Sequence, residues 1–215
     1  MGILGAVRGY LSSAALRRVL LAGAISVLMI SIFSCGSTLG FLESADLCKC
    51  LPLAPAAADY RHAAKHVPIP DTPAPIEITI DDILKWPQDP ILPFDAPRSG
   101  RELQVFHVAQ VFLQNVSVNS EDCDIHIEIS KTADKNGARV VVETPVDSEF
   151  CSARHSIQSA LKAHGFQLDT QHGGELPQAI AADVRGLAFE DFEHNRGSPQ
   201  IATLWELHPA VVTLH

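Results

Sequence analysis

The hydrophobic pattern of the chain changes character twice, which divides the sequence into three parts. From Val19 to Leu42 no charged residue occurs over 24 positions, enough for a helix to cross about 30 Å of hydrocarbon. Between Pro52 and Pro97 prolines recur, and after Glu102 β-branched and alternating stretches predict strands. We therefore expect a signal-anchor or signal peptide at 1–45, a Pro-rich linker at 46–100 and a β domain at 101–215.

Five strands and one helix are predicted in the β domain. The strand patterns cover residues 103–118, 123–130, 138–146, 179–192 and 201–214. The helix between the third and fourth strands has Ser152 as a candidate N-cap and Gly165 as a terminator. This order is that of the OB-fold, a five-stranded Greek-key barrel. The expected fold class is thus mainly β, an OB-fold-like barrel plus the N-terminal transmembrane or signal helix, with a β-sandwich carrying an inserted helix as the alternative.

The linker is predicted to be extended and semi-rigid, because a segment so rich in proline cannot continue a helix or lie in a central strand. Within it, Ile78–Trp86 has the apolar spacing of a short helix or strand that packs on the edge of the domain.

Charges around the apolar segment predict its orientation. Arg8, Arg17 and Arg18 precede it, whereas Glu43 and Asp46 follow, so the positive-inside rule places the remainder of the chain outside the cytoplasm. The segment is an uncleaved signal-anchor, a cleaved signal peptide or a lipoprotein signal using Cys35. We therefore expect the membrane as a partner and a location in the cell envelope, either anchored or, after cleavage, secreted.

An extracytoplasmic location permits disulfides. Cys35 lies in the apolar segment, and Cys48 and Cys50 are too close to each other for an easy bridge. The sequence therefore predicts Cys123–Cys151 as the disulfide, with two buried free thiols as the alternative.

The second predicted strand carries an alternating polar stripe. Its isoleucines share one parity, while Asp122, Asp124, His126 and Glu128 share the other. A one-residue shift would exchange the two faces, so the isoleucines are predicted to face the barrel interior and the stripe to face outward.

Several polar residues from distant parts of the chain are predicted to meet this stripe, because an OB-fold binds ligands on strands 2 and 3 and on the loops joining strands 1–2 and 4–5. Arg154 could steady an anionic group there, or be an ordinary surface helix residue. The ligand-binding candidates are Asp122, Asp124, His126, Glu143, Arg154, Asp191, His194, Glu206 and His208.

A divalent metal such as Zn²⁺ is the cofactor that this combination of imidazoles and carboxylates suits. The metal-ligand candidates are His126, His194, His208, Asp124 and Glu206. The expected function is a membrane-tethered extracytoplasmic domain that binds a small or oligomeric ligand. The alternatives are a metal-dependent hydrolase and a structural module that interacts with the envelope, in which the polar residues form a solvated face or a hydrogen-bonded network.

Charge and motif content exclude other classes. The chain has a formal net charge of −9, and residues 101–215 hold 8 Lys and Arg against 16 Asp and Glu, which disfavours nonspecific binding of nucleic acid. The sequence contains no G-x-S-x-G elbow, no phosphate-binding P-loop and no Rossmann glycine pattern.

Overall fold

A closed β-barrel of five strands forms the centre of the protein in a computed structural model that describes residues 46–192 and 197–215. The barrel strands are β2 (Val105–Val118), β3 (Ile125–Ser130), β4 (Arg139–Thr144), β5 (Gly174–Glu190) and β6 (Ile201–Leu214); β1 (Ile76–Glu77) is a two-residue strand that pairs in parallel with β2.

The barrel closes because β2 pairs with two neighbours. Its residues 112–118 pair antiparallel with β3, and its residues 105–116 pair antiparallel with β5. The order around the barrel is β2-β3-β4-β6-β5 and back to β2, with β4 and β6 parallel. Register shifts interrupt β2 between Val108 and Val111 and between Leu113 and Asn115. Such bulges bend a strand, which lets β2 belong to both sides of the closure.

The predicted mainly-β composition, the five barrel strands and the position of the helix are confirmed. Helix α3 (Cys151–Ala163) lies between β4 and β5 in the chain. It begins one residue before Ser152, directly after a 3-10 turn, so Ser152 is not its N-cap. Strand β5 begins at Gly174 rather than at the predicted Ala179. Pro177 is tolerated inside it because it lies at an irregularity in the pairing with β2, where no backbone N–H is needed for a hydrogen bond between the strands.

The isoleucine face of β3 lies in the barrel core, as predicted. Ile125, Ile127 and Ile129 are fully buried. Helix α3 covers the core with Ile157 and Leu161, which are four positions apart and therefore share one helix face.

Parts of residues 46–100, predicted as a linker, pack against the barrel, among them the stretch Ile78–Trp86 that was predicted to do so. They include α1 (His62–Lys65) and α2 (Ile80–Ile83), and Ile80 and Ile83 are buried in the barrel core. Trp86 contacts Trp205 edge-on at a centroid distance of 5.3 Å. Short 3-10 turns lie at Leu47–Lys49, Ala56–Ala58, Gly100–Leu103 and Ser148–Phe150.

Two disulfides join residues 46–100 to the barrel domain, and their pairing differs from the predicted one. Cys48 is bonded to Cys151 and Cys50 to Cys123, so the predicted Cys123–Cys151 bridge is wrong. The close spacing of Cys48 and Cys50 excluded a bridge between those two, but it did not prevent each from reaching a different element. We name residues 46–66 the strap, because these bonds tie its beginning to the start of α3 and to the residues before β3.

No helix among residues 46–192 and 197–215 combines the length and the apolar character needed to cross a membrane. The apolar run Val19–Leu42, on which the predicted anchor rests, lies outside the described residues.

Candidate metal centre

The polar stripe of β3 is covered rather than exposed, contrary to the prediction. Asp124 and Glu128 are fully buried, and the side chain of His126 is 16% exposed. The strap brings His66 to 3.7 Å from Asp124, and Ser198 donates to Glu128. Both faces of β3 are therefore interior surfaces, and the groups on the stripe must find partners inside the protein.

Glu128 finds a complete set of partners. Its carboxylate accepts from Arg139 Nη1 at 2.9 Å and from Asn115 Nδ2 at 3.0 Å. Burial raises the pKa of Glu128, but His126, Ser198 and Arg139 outweigh this and lower it to about 2. Gly197 packs directly on this carboxylate, where a Cβ would lie 2.8 Å from Oε1. Glu128 is thus an anchor for the chain after β5.

His208, on β6, is fully buried among carboxylates. Its Nδ1 lies 3.0 Å from Glu143 Oε2 and 3.2 Å from Glu206 Oε1. The other oxygen of Glu143 accepts from His126 Nδ1 at 2.9 Å, so Glu143 bridges the two imidazoles. Since a carboxylate can only accept, the proton of His208 that faces these groups is on Nδ1.

Electrostatic interactions inside this group are strong because it is dehydrated. Burial lowers the pKa of His208, but Asp124, Glu143 and Glu206 outweigh it and raise the pKa well above its usual value. Burial raises the pKa of Glu143, but His126 and His208 hold it well below the usual value. The pKa of His126 is raised to about 10, because Glu128 and Glu143 outweigh the effect of burial.

The opposite nitrogen of His208 points to a different set of atoms. His208 Nε2 lies 3.0 Å from Asp124 Oδ2, and His66 Nε2 lies 3.7 Å from that same oxygen. Within the described residues, none of these three atoms forms a hydrogen bond of acceptable geometry. Buried polar atoms without partners are rare and call for a specific explanation.

Neighbouring groups hold all three side chains by their other atoms. Asp124 Oδ1 accepts from the backbone N–H of Val146 at 2.8 Å, and His66 Nδ1 donates to Asp147 Oδ2 at 2.6 Å. His208 Nδ1 faces Glu143 and Glu206. Each side chain is therefore oriented by one end and leaves its other end directed at the shared space.

The three unpartnered atoms have the composition of a divalent-metal site. They lie within 4.8 Å of one another, and two imidazoles with one carboxylate form a ligand set that zinc and iron adopt. Carboxylates on the far nitrogens of His66 and His208 reproduce the outer hydrogen bonds that orient metal-binding histidines. A second group, Glu143, Glu206 and His208, also satisfies the distance criterion, but its imidazole atom is Nδ1, which is already paired.

His66 was missed by sequence reasoning because it lies in the predicted linker. The chain reads "DYRHAAKH" there, with Asp59, His62 and His66 spaced three and four apart. That spacing places side chains on one helix face and was the signal available. In the structure His62 Nδ1 donates to Asp59 Oδ2 at 3.0 Å, and Lys65 Nζ donates to Asp59 Oδ1 at 3.1 Å.

A cavity of about 340 Å³ adjoins the group at His66. A second cavity of about 570 Å³ lies beside it, and the two share Asn119, Glu121, Glu143 and Asp191 as lining residues. His126 and Glu206 line the second cavity. We name the two cavities together the trough.

The other predicted site residues fall in different places. Asp122 lines the trough and accepts from Asn119 Nδ2 at 2.9 Å; burial, with Asp124 and Glu143 nearby, raises its pKa to about 7. Asp191 lines both cavities. His194 lies outside the described residues.

Arg154 matches neither of its predicted roles. It is fully buried, and its guanidinium donates to the backbone carbonyls of Thr144, Leu47 and Cys123. Three carbonyl acceptors use its donors, so it holds the strap, β4 and the loop before β3 together rather than contacting a ligand.

Comparison of the chain with protein-family models, with curated proteins and with solved structures finds no match.

Proposed function

We propose that the protein binds a divalent metal ion, of the zinc class, through His66 Nε2, Asp124 Oδ2 and His208 Nε2. The observation that carries the proposal is that these three buried atoms converge without hydrogen-bond partners while each side chain is held by its other end. A cation at this point would replace the proton that the raised pKa of His208 places on Nε2, and it would contact all three atoms. This ligand set differs from the predicted one, since it keeps His208 and Asp124, adds His66, and leaves out His126, His194 and Glu206.

Metal-dependent hydrolysis is the reaction class that we propose for this centre. Three protein ligands leave one coordination position for water or substrate, as in hydrolytic zinc sites. Bound there, the metal would acidify a water molecule and polarise the bond to be cleaved. Of the three proposed ligands, His66 lines the trough, so we propose that a ligand reaches the open position from that side. Carboxylates in the trough, Asp122 among them, are candidates for the general base.

The fold and location that fit this function are also proposals. The strand order β2-β3-β4-β6-β5, with β4 parallel to β6, supports an OB-type barrel. The two disulfides support an oxidising, extracytoplasmic compartment. The apolar run at 19–42 would then tether the domain to the membrane.

Metal analysis of purified protein tests the site. The wild-type chain is stripped with a chelator, reloaded with Zn²⁺ and freed of excess metal, and bound zinc is measured. We expect stoichiometric zinc in the wild-type protein and its loss in His66→Ala, Asp124→Asn and His208→Ala. His172→Ala is the matched control, because His172 is an exposed imidazole paired with Asp169 outside the trough.

His126→Ala separates the proposed ligand set from the predicted one. Since His126 faces Glu143 and Glu128 rather than the unpartnered atoms, this variant should retain stoichiometric zinc. Absence of zinc from the wild-type protein, or full retention in all three ligand variants, would overturn the proposal.

A further inference from the structure

We infer that the trough binds a cationic, amine-bearing substrate, an inference that rests on the proposed metal-dependent function. Acidic side chains outnumber lysine and arginine in the lining of its two cavities: Asp59, Glu121, Asp122, Glu143, Asp147 and Asp191 line the first, and Glu206 joins the second. Among the described lining residues, Lys65 is the only lysine or arginine, and His126, the basic group of the second cavity, faces Glu143 and Glu128. This balance distinguishes the trough from a site for phosphate or carboxylate groups.

Lys65 does not make the trough attract anions, because its positive charge is paired with the carboxylate of Asp59. It is buried, and its Nζ donates to Asp59. Because Lys65 is buried and paired with Asp59, it contributes little positive charge to the surface of the cavity.

A divalent ion at His66 would offset only part of the negative charge of the trough. The side chain of His66 is 6% exposed, and its unpartnered Nε2 marks the wall where such an ion would lie. The second cavity shares Glu143 and Asp191 with the first, and His126 and Glu206 also line it. A cleft lined by charges of one sign concentrates ligands of the opposite charge.

The shape and charge of the trough together define the substrate class. The reacting bond would lie at the metal end, and a protonated amine would lie beyond it against the shared carboxylates. Glu121 is the carboxylate best placed to test this inference, because it is exposed, lines both cavities and is not a proposed metal ligand.

Calorimetric titration of the zinc-loaded protein tests the substrate class with 1,5-diaminopentane, its diacetylated form and glutarate as probes. We expect the diamine to bind at least about tenfold more tightly than the neutral diacetylated form, and glutarate not to bind. Glu121→Gln should weaken diamine binding about threefold to tenfold. Glu149→Gln is the matched control, since it removes one exposed carboxylate that does not line the trough.

The outcomes separate this inference from the proposed function. The substrate class is wrong, and the metal centre stands, if zinc binds but the diamine binds no more tightly than its diacetylated form. The same conclusion follows if Glu149→Gln weakens diamine binding as much as Glu121→Gln does. If the diamine binds selectively to a chain that holds no zinc, the metal function is wrong and the trough remains a cation site.

Discussion

Two buried polar clusters that both take a residue from the strap differ in how completely their atoms are satisfied. In the first, Arg61 Nη1 and Nη2 donate to the two oxygens of Glu102 at 2.7 and 2.6 Å, and Nε donates to Ala96 O at 3.0 Å. Glu102 also accepts from the backbone N–H of Glu190 at 3.1 Å. In the second cluster, the facing atoms of His66, Asp124 and His208 form no hydrogen bond with any described residue.

We interpret this difference as the one between a structural cluster and a proposed metal site. Buried charge is tolerated when it is paired and hydrogen-bonded, as Arg61 and Glu102 are. Three partnerless atoms at one point are costly by themselves, and proteins retain such costs mainly where a ligand removes them. The contrast yields the following expectations, beginning with the largest effect.

Breaking the satisfied cluster should be the most damaging single change. Glu102→Ala leaves the fully buried guanidinium of Arg61 without its carboxylate, so we expect the free energy of unfolding to fall by about 3–5 kcal/mol. Urea denaturation measures this loss. The control is Lys131→Ala, which removes an exposed pair with Asp81 and should cost less than about 1 kcal/mol. A similar small loss in both variants would refute the assignment of Arg61–Glu102 as structural.

Removing an orienting carboxylate from the unsatisfied cluster should weaken metal binding without abolishing it. Glu206→Gln replaces a carboxylate 3.2 Å from His208 Nδ1, and outer-shell changes of this kind reduce metal affinity about 10-fold to 100-fold. Competition with a chromogenic chelator measures the affinity. Glu175→Gln, on a carboxylate paired with Arg139, should leave it unchanged. Complete loss of zinc in Glu206→Gln would instead identify Glu206 as a ligand and move the metal to the Nδ1 side of His208.

A smaller effect is expected from acid. Burial raises the pKa of Glu102, but Arg61 and the backbone N–H groups of Glu190 and Ser99 outweigh it and lower the pKa. A lowered folded-state pKa means that the contribution to stability is complete above the unfolded value of about 4.3 and is lost as pH falls through the folded value. This loss should be smaller than that of Glu102→Ala, since protonation retains the side chain.

Unfolding of the metal-free protein in urea between pH 6 and pH 3 checks this dependence by comparison with Glu102→Gln. The difference in stability between the two chains should shrink as the solution becomes more acidic. A difference that stays constant over the range would show that the charge of Glu102 does not stabilise the fold.

The strand pattern was predictable because it depends on local alternation. The isoleucines of β3 face the core, and β6 has the predicted bounds Ile201–Leu214, since a period of two leaves a single register that buries the apolar face. The same alternation could not reveal that the opposite face would be covered as well. That outcome depends on segments distant in the chain: the strap, which brings His66 to Asp124, and residues 197–198, which contact Glu128.

Some of the residues predicted to form a site lie close together in the structure. Asp124, Glu143, Glu206 and His208 do converge, because strand order brought β3, β4 and β6 together. His126 joins them only through Glu143, and Arg154 serves the backbone. His66 could not be placed from sequence, since its position depends on how the strap crosses the barrel. The pairing of the cysteines depends on the path of the strap in the same way.

By itself, the sequence determined the strands, their order and the parity of their side chains, because each follows from local hydrophobic patterning. Only the tertiary structure decided which polar groups would be buried together and which would be left without partners. Burial and hydrogen-bond partners depend on the packing of segments that are distant in the chain. Here the strap, which Cys48–Cys151 and Cys50–Cys123 join to the barrel, packs against the polar face of β3. This packing makes that face one wall of the proposed site.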